Sequence, residues 1–332
     1  MARRQVEFGI SLPNRAVLFG LDPRVLFETA DQAEASGVFD SVWVGDNFTS
    51  KPRLEAIVTL SAIAGRTRRL KLGTICLASF PLRHPLVFAL QWASLDLASG
   101  GRTILAVCAG GSDKMGPQFA AELAAMGVAS KERIGRLEEG IALLRAFWSG
   151  PVTHHGKYYR FDRVDLLPRP ERRIPIVLAV NPTSPDPAVT ERAMRRVARL
   201  SDGWQTDGTP PADFRARWRQ VQDYAAEYGR AHEVTHNSLH LMVNINDDEA
   251  KAKREAVEFL DHYYGTGRIS PQKLDSWLAF GSPAAVVDKV MAFVEAGCNT
   301  VVMRFTSPDQ RGQLERCVTD VMPKLKGAVA VS

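Results

Sequence analysis

The chain has 332 residues, 45% of them hydrophobic, and 42 Lys and Arg against 37 Asp and Glu give a net charge of +5. That is the composition of a globular protein; no apolar run is long enough to span a membrane, and the start Met-Ala-Arg-Arg-Gln-Val-Glu-Phe lacks a signal core, so the expected location is cytoplasmic. The arginines spread along segments such as Arg192–Arg199 and Arg215–Arg219, which reads as solvated helix faces and not as a nucleic-acid interface.

Strand-like and helix-like segments alternate along the chain. Val6–Leu12 reads as a first strand. A helix over Pro23–Ser36 follows, started by Asp22-Pro23 and stopped by Gly37. Phe39–Gly45 is a second strand, Arg53–Gly65 a helix, Leu70–Leu77 a third strand and Pro85–Ala98 a helix. Arg102–Ala109 is a fourth strand, set between two glycine pairs, Gly100-Gly101 and Gly110-Gly111. Glycines at a strand's C-terminal end let a backbone approach a ligand closely. Ser130–Trp148 is a longer helix.

The pattern then changes. Val152–Phe161, with Gly156 between two β-prone runs, reads as an inserted hairpin, and its His154-His155 pair as surface. Ile174–Val180 is a fifth strand, Gly203–Thr206 a sixth, Ser238–Ile245 a seventh and Thr300–Phe305 an eighth. Helices are expected at Ala188–Leu200, Ala212–Tyr228, Glu249–Tyr263, from Ser282-Pro283 to Gly297, and at Gln310–Leu325. Gly265–Phe280 reads as a long loop, a candidate lid carrying Arg268 and Lys273.

Eight strands alternating with helices imply parallel βα units closed into a (β/α)8 TIM barrel, an α/β fold. The rival, an open doubly wound sheet, predicts GxGxxG after the first strand, and Gly-Ile-Ser-Leu-Pro-Asn lacks it. The expected organisation is one domain over residues 1–332, with a hairpin insertion at about 150–172 and the lid-like loop at about 264–281. Four cysteines, Cys76, Cys108, Cys298 and Cys317, form no CxxC pair and no zinc spacing, so neither disulfides nor a metal is expected.

Six segments, in order, resemble the luciferase-like oxidoreductases, the superfamily of bacterial luciferase, alkanesulfonate monooxygenase and the coenzyme F420-dependent reductases and dehydrogenases. They are Ala30–Gly45, Leu60–Thr74 with its Leu-Gly-Thr end, the Leu95–Gly101 turn, Arg133–Trp148 with Gly156–Phe161, Ser201-Asp202-Gly203-Trp204, and Gly281–Gly297. The resemblance implies a barrel holding F420 or FMN at the C-terminal ends of its strands. It carries a non-proline cis peptide to Ile75–Cys76, behind the cofactor ring. It places ring-facing atoms at Ser11 and Leu12, unless these merely finish a strand. Phosphate or ring contacts fall to Ala109, Gly110, Gly111 and Ser112, and to Asn181, Thr183 and Ser184 after strand five.

At the end of strand two the family carries an acidic residue or histidine followed by histidine; here stand Asp46 and Asn47. Asp46 is a candidate acid or base if burial raises its pKa, while Asn47 can only hydrogen-bond. His84, in Pro81-Leu82-Arg83-His84-Pro85, is a candidate general acid or else a surface histidine at a helix start. Arg304 is a candidate partner for an anionic tail or substrate group.

The resemblance implies F420-dependent hydride transfer with a small organic substrate, or an FMNH2-dependent two-component monooxygenase. The absence of the family's arginine at Ala109 and the basic balance favour F420. A third reading is a barrel that binds ligand without catalysis. The expected partners are a small-molecule substrate, a separate flavin or F420 reductase, and a second copy in a homodimer; neither nucleic acid nor a membrane is expected.

Overall fold

The computed structural model describes residues 6–181 and 186–331. Eight parallel strands close on themselves: β1 (Glu7–Ser11), β2 (Ser41–Val44), β3 (Lys71–Thr74), β4 (Thr103–Val107), then β7 (Ile176–Ala179), β8 (Gly203–Asp207), β9 (His236–Ile245) and β11 (Thr300–Phe305), which pairs back onto β1. Between them, β5 (Val152–His155) and β6 (Arg160–Val164) form a separate antiparallel hairpin, and β10 (Leu278–Gly281) adds to β9. The chain is a (β/α)8 barrel. No helix among the described residues is long and apolar enough to cross a membrane.

The strands alternate between two cores. One set of side chains packs outward against the helices, including Ile10, Val42, Val44, Leu72, Leu105 and Leu178. The other set, Trp43, Ile104, Ala106, Val177 and Val302 with Ile75 against them, fills the interior. Trp43 sits in register with Ser11 on one side and Gly73 on the other. A Cβ at Gly73 would stand 2.2 Å from the indole, and one at Gly9 would stand 2.7 Å from its Nε1. Those two glycines make room for the largest side chain inside the barrel, and the indole N–H donates to Ser41 Oγ at 2.8 Å.

Several expectations are corrected. Gly265–Phe280 is not a plain loop: it holds a helix, Pro271–Trp277, and β10. Period-2 evidence is weak in a four-residue strand, and Ser270-Pro271 is a capped helix start, with Ser270 Oγ accepting from the Lys273 amide. The second helix begins at Ala56 and not at Arg53, because Glu55 caps it by accepting from the Val58 amide. Asp22-Pro23 is a turn before a helix that starts at Val25. The closing helix is interrupted by a π segment, Cys317–Val321, between Gln310–Arg316 and Met322–Val331.

Candidate active site

All eight barrel strands point their C-terminal ends at one mouth, where most of the residues singled out above converge. The peptide bond Ile75–Cys76 is cis, as the resemblance implied. Ile75 packs on the interior cluster. The Cys76 thiol hydrogen-bonds with that of Cys108 on the neighbouring strand end; this bond and burial raise Cys76, while the same bond lowers Cys108. Both cysteines are free.

Ser11 is buried at the end of β1, and its carbonyl accepts from Arg304 Nη1 at 3.3 Å. Leu12, next to it, is buried in the main hydrophobic cluster. Asp46 is buried, with Oδ2 accepting from the Ser79 amide at 2.8 Å and Oδ1 from Arg83 Nη2 at 3.1 Å. Arg83 also reaches Glu55 Oε1 at 2.7 Å. This carboxylate therefore fastens the segment after β3 to the end of β2. Asn47 is buried beside it in sequence. His84 is exposed and packs edge-on to Tyr159 and Phe161 of the hairpin.

After β4, Arg133 Nη1 donates to the carbonyls of Ala109 (3.0 Å) and Gly110 (2.8 Å). Gly110 has φ +69°, and a Cβ there would meet the Ala78 carbonyl oxygen at 2.4 Å. The Gly110 amide donates to Cys108. Gly111 is packed under Phe119, and Ser112 opens a 3-10 turn. Asn181 bridges the ends of β7 and β8, its Nδ2 donating to Asp207 Oδ1 at 2.5 Å and its Oδ1 accepting from the Asp207 amide at 3.0 Å. Asp207 also pairs with Lys273 at 3.2 Å. Thr183 and Ser184 lie outside the described residues.

The loops bordering the mouth are tied by one carboxylate that sequence reasoning did not single out. Glu122, from the helix Pro117–Ala125, accepts from the amides of Phe48 (2.5 Å), Thr49 (2.9 Å) and Ser50 (3.4 Å). His240 was also missed. It lies on β9, its Nε2 is out of contact with solvent, and that atom has no hydrogen-bond partner among the described residues. Burial, then the charges of Arg304 and Lys273, lower its pKa to about 3, so the ring is neutral. Gln205 Nε2 on β8 is likewise unpartnered. Alternation along a strand could have flagged both as inward-facing, since Gln205 and His240 share the phase of Gly203 and Ser238.

Four cations complete the mouth. Arg304 and Arg15 are both 4% exposed. Arg15 Nη1 donates to the Tyr263 carbonyl at 2.6 Å, and its guanidinium lies 4.0 Å from the centre of the Tyr263 ring. Lys51 Nζ stands 4.7 Å from the Tyr264 ring centre. Burial, then the Arg53 charge, lower the Lys51 ammonium to about 8. Burial pushes the Tyr263 phenol up, but the charges of Arg53, Arg304, Arg15 and Lys51 outweigh it and lower it overall.

The fold is that of a (β/α)8 enzyme, and the mouth, lined by unpartnered polar atoms and converging cations, is its candidate site. The chain belongs to the luciferase-like monooxygenase family, whose model matches residues 6–300. It is 29% identical to an F420-dependent glucose-6-phosphate dehydrogenase of Amycolatopsis mediterranei, over 92% of this chain and 95% of that protein. It is 24% identical to a 5,10-methylenetetrahydromethanopterin reductase of Methanopyrus kandleri, over 97% and 99%. Among solved structures, an F420-dependent secondary alcohol dehydrogenase in complex with an F420-acetone adduct superposes with a TM-score of 0.77 at 18% identity, covering 97% of this chain and 99% of that one, a likeness of fold.

Proposed function

We propose that this chain is an F420-dependent oxidoreductase acting on a small organic substrate. The observation that carries the reading is the near full-length similarity to the F420-dependent glucose-6-phosphate dehydrogenase.

The residues present fit such a group. A flat heteroaromatic ring with polar edges needs an apolar wall and a few hydrogen-bonding partners. Ile75 supplies the wall, and the unpartnered Nε2 atoms of His240 and Gln205 supply partners inside the barrel. Ser11, Cys76 and the Ala109–Ser112 turn border the same mouth, with Asn181, Thr183 and Ser184 assigned to the phosphate-bearing tail. F420, when bound, supplies the two-electron hydride chemistry. The chain's own residues orient the two reactants and exclude water. Asp46 positions Ser79 and Arg83 at the rim, with Asn47 next to it. The proton that accompanies the hydride is held or moved at Tyr263 Oη, the phenol that the surrounding cations favour ionising.

Fluorescence titration of purified protein with oxidised F420 and with FMN tests this. Micromolar or tighter F420 binding, with weak FMN binding, is the expected result; tight FMN binding alone overturns it. The family's description keeps an FMNH2-dependent monooxygenase as the second reading, and oxygen uptake on adding reduced FMN and a substrate panel would select it. Where the reaction consumes the reduced cofactor, a separate flavin or F420 reductase regenerates it. Val58 and Val87, 70% and 54% exposed on the helices after β2 and β3, support pairing of two copies across those helices. A monomer mass by light scattering would refute that assembly.

A further inference from the structure

The mouth holds more positive charge than the protein itself neutralises. Arg15, Lys51, Arg53 and Arg304 come from the segments after β1 and β2 and from β11, and they gather around Tyr263. None of the four has a carboxylate ion-pair partner among the described residues. The neighbouring carboxylates are engaged elsewhere: Asp46 and Glu55 by Arg83, Asp207 by Lys273, and Glu122 by three loop amides. Arg15 and Arg304 donate to the neutral oxygens of Pro52, Tyr263, Ser11 and Gln310, and the Tyr263 phenol, which Arg15 also reaches, can offset at most one of the four charges. Arg53 Nε is buried without any partner. A buried charge left unpaired is costly; Arg15 and Arg304 are buried and Lys51 and Arg53 half-buried, so their convergence is explained by an occupant that brings the missing negative charge.

We infer that these four side chains bind an oxyanion carried by the substrate, a carboxylate or a phosphate, sulfate or sulfonate group. Guanidinium forks match the paired oxygens of such a group, and Lys51 adds a point charge. The assignment to the substrate and not to the cofactor's own phosphate rests on the reading above, which assigns the cofactor's phosphate-bearing tail to the segment after β7, across the barrel from β1. The four cations stand on the opposite arc, at β1, β2 and β11. Lys51 is near enough to Cys76 for the two to interact electrostatically, so the anion would sit within one small molecule's length of the proposed ring site. The substrate class is therefore a small anionic organic molecule, held by its charged end with its reactive carbon directed toward the ring.

Sulfate, which does not titrate near neutral pH, is a suitable probe. Calorimetric titration of sulfate into protein already saturated with F420 tests the inference, because the cofactor's phosphate position is then filled. The expected result is saturable binding, weakened at least tenfold by Lys51→Met and, separately, by Arg53→Gln. F420 affinity, read by fluorescence, should stay within about twofold in both variants. Sulfate binding that disappears on F420 saturation, or that neither substitution changes, overturns the inference. If F420 fails to bind while sulfate binds and depends on Lys51 and Arg53, the cofactor assignment falls and the anion site stands. If F420 binds and sulfate does not, the anion site falls and the cofactor assignment stands.

Discussion

Arg83 Nη2 lies 3.1 Å from Asp46 Oδ1, and both side chains are less than 10% exposed. A buried ion pair broken on one side leaves an uncompensated charge. Arg83→Met should therefore cost about 3–5 kcal/mol in urea unfolding, and adding Asp46→Asn should recover part of that loss. Equal stability of the single and double variants would show that the pair does not hold the two strand ends together.

Gly73 should tolerate no side chain, since its Cβ would overlap the Trp43 indole. Gly73→Ala is expected to lose about 1–3 kcal/mol by overpacking. Trp43→Phe made in the same chain should lose less than the sum of the two single losses, a coupling that a double-mutant cycle measures.

Lys51 links function to stability through pH. Its folded pKa is about 8 against an ordinary 10.5, lowered first by burial and then by the charges of Arg53 and Arg15, with Tyr263 and Cys76 opposing the shift. Between those values the unfolded chain holds a proton that the folded chain has shed, so stability rises with pH across the window. Below about pH 8 the folded state carries the buried charge. Lys51→Met should therefore be more stable than the wild type at neutral pH, on the order of 1–3 kcal/mol. The gain should fade as the pH approaches 10.5; a gain independent of pH would contradict the assignment.

His240 predicts the acid side. It is neutral when folded, with a pKa near 3, and ordinary at 6.5 when unfolded, so the unfolded chain binds the extra proton and stability falls as the pH drops below about 6.5. His240→Gln should remove this contribution, on the order of 1–2 kcal/mol at about pH 5. Matching stability curves for the two proteins over that range would refute it.

Arg133→Met should release the Ala109 and Gly110 carbonyls. The expected outcome is roughly tenfold weaker F420 binding, because a preorganised turn becomes free to move, with cooperative thermal unfolding retained. Unchanged affinity would remove this turn from the cofactor site.

The barrel was legible because most strands, such as Ser41–Val44 and Thr300–Phe305, are short apolar runs bounded by Gly, Asp or Asn, and the helices between them carry their own start and stop signals. The family motifs added the cis bond at Ile75–Cys76. Motif content and ligand contact are nevertheless different things. Asp202, in the Asp-Gly-Trp motif, is held by Arg145, Arg173 and the Ile176 amide at the N-terminal end of the barrel, away from the mouth. Gly100 and Gly101 serve a turn at that same end, and only Gly110 and Gly111 reach the mouth. The cationic cluster was not legible beyond Arg304. Arg15, Lys51 and Arg53 sit in irregular segments without periodicity, and Arg15 meets Tyr263 only across 248 residues of chain. That proximity is created by barrel closure, which no local pattern encodes.

On β9, one edge bonds first to β8, over His236–His240, and then to β10, over Met242–Ile245. The rungs that complete the cylinder are thus distinct from those that extend its rim. Residues in Leu278–Gly281 can vary, lengthening or re-aiming that part of the entrance, while the eight-stranded body beneath keeps every one of its own rungs. A single long strand in this way gives the protein a permanent foundation and an adjustable doorway.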